Sequence, residues 1–267
     1  MKLVRFGNKG KEKPGLIDQS GSLRDLSGKI LDITADTLSP DNLAQLQELN
    51  LHTLPEVKGE PRLGVPISGI PKIVAVGQNY MNHILEMGYT PPEEPVLFLK
   101  AISSVVGPYD PIIKPKTSTK LDYEVELAAI IGQTAVNVSA AESLNYIAGY
   151  AIMNDVSERA FQRERAGGTT KGKSANTFGP LGPWLVTADE FGNPQKKRIW
   201  TKVNNEVRQD GNTSDMVFGI AELVAYVSEF MSLNPGDVLT TGSPHGVAAG
   251  FKPPKWLQPN DVIDMGI

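Results

Sequence analysis

The chain of 267 residues contains no cysteine, which excludes disulfides, thiolate nucleophiles and metal sites ligated by sulfur. Histidine is also scarce, with three residues, and aromatic residues make up only 7% of the chain. No apolar run approaches the ~20 residues that a membrane-spanning helix needs. The first residues, MKLVRFGNKGKEK, lack the apolar stretch of a signal peptide. These absences predict a cytoplasmic protein.

Positive charge is not in excess either. Lys and Arg number 26 against 30 Asp and Glu, and the formal net charge at pH 7 is −4. Nucleic acids and anionic membranes are bound largely through Lys and Arg, so we expect neither as a partner. With 40% hydrophobic and 21% charged residues, the composition is typical of a globular protein. The expected partner is therefore a small molecule.

The first 65 residues predict a small N-terminal α/β module. It contains a strand over residues 3–6, a hairpin over Gly15–Leu26 and a helix that begins after Ser39. A segment rich in Pro and Gly, residues 53–71, then predicts a linker.

The remainder, residues 66–267, predicts a larger domain of mostly short strands and one clear amphipathic helix over residues 220–231. We therefore expect an α+β protein that is predominantly β, with a largely antiparallel or mixed sheet. The last predicted strand stops at Ile267, so we also expect a terminal strand beyond it.

Three carboxylates fall on two of the predicted strands. In DYEVEL, Glu124 and Glu126 are two residues apart on a strand over residues 123–131, so both point to one face. Asp155 lies on an otherwise apolar face of a strand over residues 150–156. If the three converge, a hard cation must offset their repulsion, and oxygen ligands favour Mg²⁺, Mn²⁺ or Ca²⁺. The alternative is an ordinary solvated sheet face.

A histidine and a glutamate form the next candidate pair. His83 and Glu86 are three residues apart in GQNYMNHILE, which on a helix places them on one face. An imidazole oriented by a carboxylate can act as a general base near neutral pH, whereas an exposed surface pair would have no such role. His245 lies in a tight Gly and Pro loop, where a turn contact and a pocket wall are both open.

Residues 167–174, GGTTKGKS, match the phosphate-binding pattern G-x-x-x-x-G-K-[ST]. That loop functions between a buried strand and a helix whose first N–H groups bind phosphate. Here the preceding residues, SERAFQRERA, are polar. The following ones, SANTFGPLGPW, contain two Gly and two Pro, which disfavours a helix. A nucleotide-binding protein is therefore a remote alternative.

Six segments follow one another along the chain: GQNYMNHILE, DYEVELAAIIG, GYAIMNDVSERAFQ, GKSANTFGPLGPW, VNNEVRQDGNTSDMVF and NPGDVLTTGSPHGV. Together they resemble the signature blocks of the fumarylacetoacetate hydrolase family, and the resemblance covers residues 70–267. It implies a mixed β-sandwich roll, preceded by a small N-terminal module as in bacterial members, and a homodimer. It also implies a divalent cation and chemistry on diketo acids or related 2-oxo acids.

The resemblance also implies a role for each motif residue. The metal ligands fall on Glu124, Glu126 and Asp155, in agreement with the alternation argument. A dyad that activates water falls on His83 and Glu86. The catalytic lysine falls on Lys173, and the substrate-binding positions fall on Lys100, Arg159, Gln162 and Thr241.

The activity implied by the resemblance is hydrolysis of a C–C bond in a 2,4-dioxo acid, with release of pyruvate. An acylpyruvate, a fumarylpyruvate or a 2,4-diketo-3-deoxy sugar acid would serve as substrate, with Mg²⁺, Mn²⁺ or Ca²⁺ as cofactor. Decarboxylation of oxaloacetate or hydration of a 2-oxo acid is the alternative on the same fold. Asn176 and Ser243 stand where the family often has Asp and usually has Thr, so we expect a different substrate preference.

Overall fold

The computed structural model describes residues 1–267 and contains fifteen strands, six α-helices and five short 3-10 helices. The strands are β1 (Lys2–Phe6), β2 (Lys13–Ile17), β3 (Leu23–Asp25), β4 (Ile73–Gly77), β5 (Val96–Lys100), β6 (Val105–Val106), β7 (Leu121–Asp122), β8 (Val125–Ile131), β9 (Ile147–Asn154), β10 (Ser157–Glu158), β11 (Gly179–Thr187), β12 (Arg198–Val203), β13 (Glu206–Asn212), β14 (Val238–Thr240) and β15 (Ile263–Gly266). The α-helices are α1 (Pro40–Gln47), α2 (Met81–Glu86), α3 (Arg159–Arg163), α4 (Thr169–Lys173), α5 (Ala188–Phe191) and α6 (Ile220–Phe230).

A mixed ten-stranded sheet dominates the molecule, with the order β3-β2-β1-β11-β9-β8-β14-β4-β5 and with β6 beside β11. Strand β14 runs parallel to β4, and β6 runs parallel to β11, while the other pairs in this sheet are antiparallel. Only the 3-10 turn Ile102–Ser104 separates β5, at one end of this order, from β6. The sheet therefore curls back on itself, and the predicted α+β class with a mixed β-roll is confirmed.

The N-terminal segment adds to the same sheet and helps to cover it. Strand β1 pairs with β11, with Leu3 opposite Leu185. The predicted hairpin is confirmed as β2 and β3, and the predicted helix as α1, where the hydroxyl oxygen of Ser39 accepts a hydrogen bond from the backbone N–H of Asn42. The domain boundary near residue 65 stays a prediction, because residues from both parts share one apolar cluster of 19 buried residues.

Helix α6 covers the other face of the sheet, as its amphipathic pattern predicts. Its residues Ile220, Leu223, Val224 and Val227 pack with Leu127 and Leu239 in a second buried cluster. Because both faces are covered, all seven residues of β8 are buried. No helix in the structure combines the length and the apolar character that crossing a membrane would require.

The strand ends next to the predicted site residues lie together at one edge of this sheet. The carboxyl ends of β4 and β14 lie beside the amino end of β8, since Thr240 is opposite both Ala75 and Ala128. The carboxyl end of β9 joins them, with Asn154 opposite Val125. Chain segments that leave these strand ends are therefore brought together.

Candidate active site

The three predicted carboxylates meet at this edge. Glu124 directly precedes β8, Glu126 lies within it, and Asp155 directly follows β9. The backbone N–H of Asp155 donates to the carbonyl of Glu124 at 2.8 Å, which places the two residues side by side. One oxygen from each carboxylate lies within 4.8 Å of the others, and all three residues are at most 5% exposed. The alternative of a solvated sheet face is therefore wrong.

Three cationic side chains surround these carboxylates. The ammonium of Lys173, at the end of α4, pairs with both Glu124 and Asp155. The ammonium of Lys100, at the end of β5, lies 2.6 Å from an oxygen of Asp155 and also donates to the carbonyl of Lys173. The guanidinium of Arg159, at the start of α3, pairs with Glu124. Because the sheet curls back on itself, Lys100 at the end of β5 lies beside Asp155.

Asp122 is a further buried carboxylate, which the motif analysis missed. It is fully buried, and it accepts a hydrogen bond from Nε of Arg159 at 2.8 Å and one from the backbone N–H of Ala248 at 2.6 Å. It thus orients the guanidinium that pairs with Glu124. The signal was present in the sequence, because Asp122 precedes Glu124 by two residues and continues the same alternation.

The neighbouring charges separate the pKa values of the two glutamates. Burial raises the pKa of Glu124, but the charges of Arg159 and Lys173 outweigh it and hold the pKa below its ordinary value. For Glu126, burial together with the charge of Asp155 raises the pKa to about 8. Glu126 has no salt bridge, and its one hydrogen bond comes from the backbone N–H of Gly242 at 3.2 Å. The charge of Lys173 lowers the pKa of Glu126 in part, but burial and Asp155 outweigh it.

These carboxylates fit a divalent cation. Oxygen ligands at roughly 2.0–2.6 Å from a shared ion lie at most about 5 Å apart, and the spacing of Glu124, Glu126 and Asp155 meets this condition. The donor set contains only oxygen, which suits Mg²⁺, Mn²⁺ or Ca²⁺. The four carboxylates of the cluster outnumber its three cationic side chains, so a dication would leave the site net positive.

The predicted histidine–glutamate pair lies on the short helix α2. Nδ1 of His83 is 3.1 Å from Oε2 of Glu86, and both side chains are less than a fifth exposed. The other oxygen of Glu86 accepts a hydrogen bond from the backbone N–H of Gly246 at 2.9 Å. His83 is near enough to the cluster for its charge to help lower the pKa of Glu124. The pair is therefore anchored rather than free on the surface.

A glycine makes room for this helix. A Cβ atom on Gly250 would lie 2.3 Å from the carboxyl carbon of Glu86, so α2 rests directly on the backbone of the loop that contains Gly246 and Gly250. We call α2 the lid helix and residues 244–251 the docking loop. The side chain of Glu86 reaches its present position only because residue 250 has no side chain.

The phosphate-binding pattern has no supporting structure around it. Helix α3, and not a buried strand, precedes residues 167–174, and irregular turns and then β11 follow them. Lys173 is the last residue of α4, and its ammonium is held by two carboxylates. Its ammonium also lies 5.2 Å from the ring centre of Phe98, a residue that the motif analysis did not single out.

The remaining predicted residues lie close by, with protein partners of their own. Gln162 accepts a hydrogen bond from Arg159 at 3.0 Å. Thr241 is fully buried, and its hydroxyl donates to the carbonyl of Leu127 at 2.9 Å. Nδ1 of His245 is buried without a hydrogen-bond partner. The substrate-binding roles predicted for four residues stay predictions: Lys100, Arg159, Gln162 and Thr241.

Comparisons with known proteins agree with this architecture. Residues 72–267 match the model of the fumarylacetoacetate (FAA) hydrolase C-terminal family. A Burkholderia lata protein named as a hydrolase is 48% identical over 268 residues, which is 100% of this chain and 95% of that protein.

Solved structures show the same fold along the whole chain. A fumarylacetoacetate hydrolase from Exiguobacterium antarcticum superposes with a TM-score of 0.86 at 35% identity, over 100% of this chain and 95% of that one. A Mycobacterium abscessus protein named as a 2-hydroxyhepta-2,4-diene-1,7-dioate isomerase superposes at 0.82 with 32% identity, over 100% and 94%. From its sequence, its fold and its carboxylate cluster, the chain belongs to the fumarylacetoacetate hydrolase family.

Proposed function

We propose that the protein is a divalent-metal-dependent hydrolase that cleaves a C–C bond of a 2,4-dioxo acid and releases pyruvate. An acylpyruvate, a fumarylpyruvate or a 2,4-diketo-3-deoxy sugar acid fits this class. The observation that carries the proposal is the His83–Glu86 pair, held by the docking loop beside a buried carboxylate cluster. Hydrolysis needs a base for water, and this pair supplies an oriented imidazole.

Glu124, Glu126 and Asp155 would hold the cation, with Mg²⁺ as the first candidate and Mn²⁺ or Ca²⁺ as others. When bound, it supplies Lewis acidity toward the 2-oxo and carboxylate oxygens of the substrate. Lys173 and Arg159 offset the negative charge of the carboxylates, and this allows an anionic substrate to approach.

His83 would remove a proton from water, and the resulting hydroxide would attack the distal carbonyl carbon of the substrate. Glu86 accepts from one ring nitrogen of His83, so the other nitrogen is left to act as the base. Breaking the bond between C3 and C4 then releases a carboxylic acid and the enolate of pyruvate. Lys173 stabilises the enolate charge, and the proton held by His83 returns to C3.

Decarboxylation of oxaloacetate is the second candidate, together with hydration or isomerisation of a 2-oxo acid. The same buried cations favour it, because loss of CO₂ leaves the same pyruvate enolate without any attack by water. The similarity to a protein named as an isomerase also supports enolate chemistry at this kind of site. The two candidates differ in their need for His83.

A substrate panel tests the proposal. Pyruvate release is measured from acylpyruvates, 2,4-diketo-3-deoxy sugar acids and oxaloacetate, each with Mg²⁺ and with a chelator. We expect diketo acid hydrolysis that the chelator abolishes. Turnover of oxaloacetate alone would favour the decarboxylase, and hydrolysis that survives complete metal removal would refute the metal-dependent mechanism.

A further inference from the structure

Two backbone N–H groups of the docking loop donate to one buried carboxylate. The backbone nitrogen of Ala248 lies 2.6 Å from Oδ1 of Asp122, and that of Ala249 lies 3.2 Å from its Oδ2. Both alanines begin the 3-10 turn that ends at Gly250, and the first N–H groups of such a turn have no partner within it. Asp122 therefore caps the turn against which Glu86 packs.

The same carboxylate also holds the guanidinium of Arg159. Nε of Arg159 is 2.8 Å from Oδ2 of Asp122, and the guanidinium pairs with Glu124. The backbone N–H of Tyr123 donates to Oδ1 at 2.8 Å, so each oxygen of the carboxylate accepts two hydrogen bonds. A fully buried carboxylate is costly unless it is paired and hydrogen-bonded in this way. Asp122 thus joins the docking loop to the carboxylate cluster.

The residue after Asp122 holds the docking loop at a second place. Tyr123 is fully buried, and its hydroxyl donates to the carbonyl of Gly246 at 3.0 Å. The N–H of Gly246 in turn donates to Glu86 at 2.9 Å. These two adjacent residues therefore fix the loop close to both of the points where Glu86 contacts it, Gly246 and Gly250.

We propose that Asp122 is a positioning residue that fixes the docking loop, and through it the His83–Glu86 pair, relative to the carboxylate cluster. Asp122 is not one of the predicted metal ligands, and it is neither part of the pair nor a predicted substrate-binding residue. Because α2 has only six residues, the position of His83 depends on the loop that supports it. The effect of Asp122 on turnover rests on the proposed function, whereas its hold on the loop does not.

Hydrogen exchange of the metal-free protein, followed by NMR, tests the hold on the loop. In the wild type we expect the amide of Ala248 to be protected, because it is bonded to a buried carboxylate. In Asp122→Asn an amide nitrogen, which cannot accept, replaces one oxygen. Exchange should then become at least about 10-fold faster in the docking loop and in α2. An unprotected Ala248 amide in the wild type would overturn the proposal whether or not the variant folds.

Asp237→Asn is the matched control. Asp237 is also fully buried, accepts a hydrogen bond from the backbone N–H of Asn234 at 2.6 Å and pairs with Lys72. It precedes β14, at the end of that strand opposite to the site. Its substitution should leave exchange in the docking loop unchanged. Equal acceleration in both variants would overturn the proposal, since the effect would then be general destabilisation, and so would wild-type exchange in a folded Asp122→Asn.

Turnover gives a second readout, through a double-variant cycle with Gly250→Ala. That substitution would displace the carboxylate of Glu86 from the same loop. We expect Asp122→Asn to lower kcat for diketo acid hydrolysis about 10- to 100-fold. The double variant should be no slower than the slower single variant, because both changes act through the loop.

The outcomes separate the two proposals. Losses of kcat that multiply in the double variant would show independent effects and overturn the positioning role of Asp122. Wild-type protein that hydrolyses no diketo acid would refute the proposed function instead, and the exchange measurements would still decide whether Asp122 holds the docking loop.

Discussion

The carboxylate cluster and the His83–Glu86 pair lie on neighbouring parts of the molecule but are held in different ways. Glu124 and Asp155 are joined by a backbone hydrogen bond between strand ends and by the ammonium of Lys173, which pairs with both carboxylates, and both residues are buried. The position of the His83–Glu86 pair is set by the six-residue lid helix, by one hydrogen bond from the backbone N–H of Gly246 to Glu86 and by close packing of Glu86 over Gly250.

This difference suggests a division of labour. The cluster must keep like charges together at one fixed geometry, which requires a rigid and dry surrounding. If α2 closes over the substrate, as the proposed function implies, a short helix with few contacts suits that movement. Changes in the cluster should therefore abolish metal binding and every reaction, whereas changes in the lid should affect only the step that needs a base.

The largest effect is expected from Glu126→Gln. The loss of one ligand charge should weaken metal affinity by more than about 100-fold. Removal of a residue that only orients a ligand typically weakens metal affinity by less than this. All turnover should disappear, while the stability of the metal-free protein is kept, because Glu126 has no salt bridge to lose. Calorimetry and thermal unfolding in chelator measure the two effects. Glu142→Gln, at an exposed position, is the control, and unchanged metal affinity in Glu126→Gln would remove Glu126 from the ligand set.

A narrower loss is expected from His83→Ala. Removal of the base should lower diketo acid hydrolysis by roughly 100- to 10,000-fold and leave metal affinity unchanged. Any decarboxylation of oxaloacetate should persist, because that reaction needs no attacking water. Both rates are compared with those of His52→Ala, whose histidine is exposed. Hydrolysis at the wild-type rate would show that His83 is not the base.

The smallest effect is expected from Gly250→Ala, which alters the seat of the lid without touching the pair itself. The new methyl group would displace the carboxylate of Glu86, and hydrolysis should fall about 10- to 100-fold while metal affinity and Tm stay unchanged. Gly28→Ala is a matched control, because a Cβ there has nothing within 4 Å. If the two variants hydrolyse substrate equally well, the docking loop does not position the lid.

Much of the candidate site could be predicted from local patterns and from the family resemblance. Alternation placed Glu124 and Glu126 on one face, and helical spacing joined His83 to Glu86; both geometries are confirmed. The same alternation also predicts that Asp122 lies on this face. Asp122 was missed because the pattern was applied only to Glu124 and Glu126. Phe98 carried no such signal, since a single apolar segment does not show which charged group its ring will contact.

The sequence by itself determined the period-two and helical placement of side chains, because these depend only on the backbone geometry of adjacent residues. It also determined which elements have apolar faces to bury, as for α1 and α6. Only the tertiary structure decided that Asp155 lies beside Glu124, through the register of β8 and β9, and that Lys100 meets Asp155 across 55 residues of chain. Register, the curl of the sheet and burial arise from contacts between distant segments, and burial is what makes these charges interact strongly.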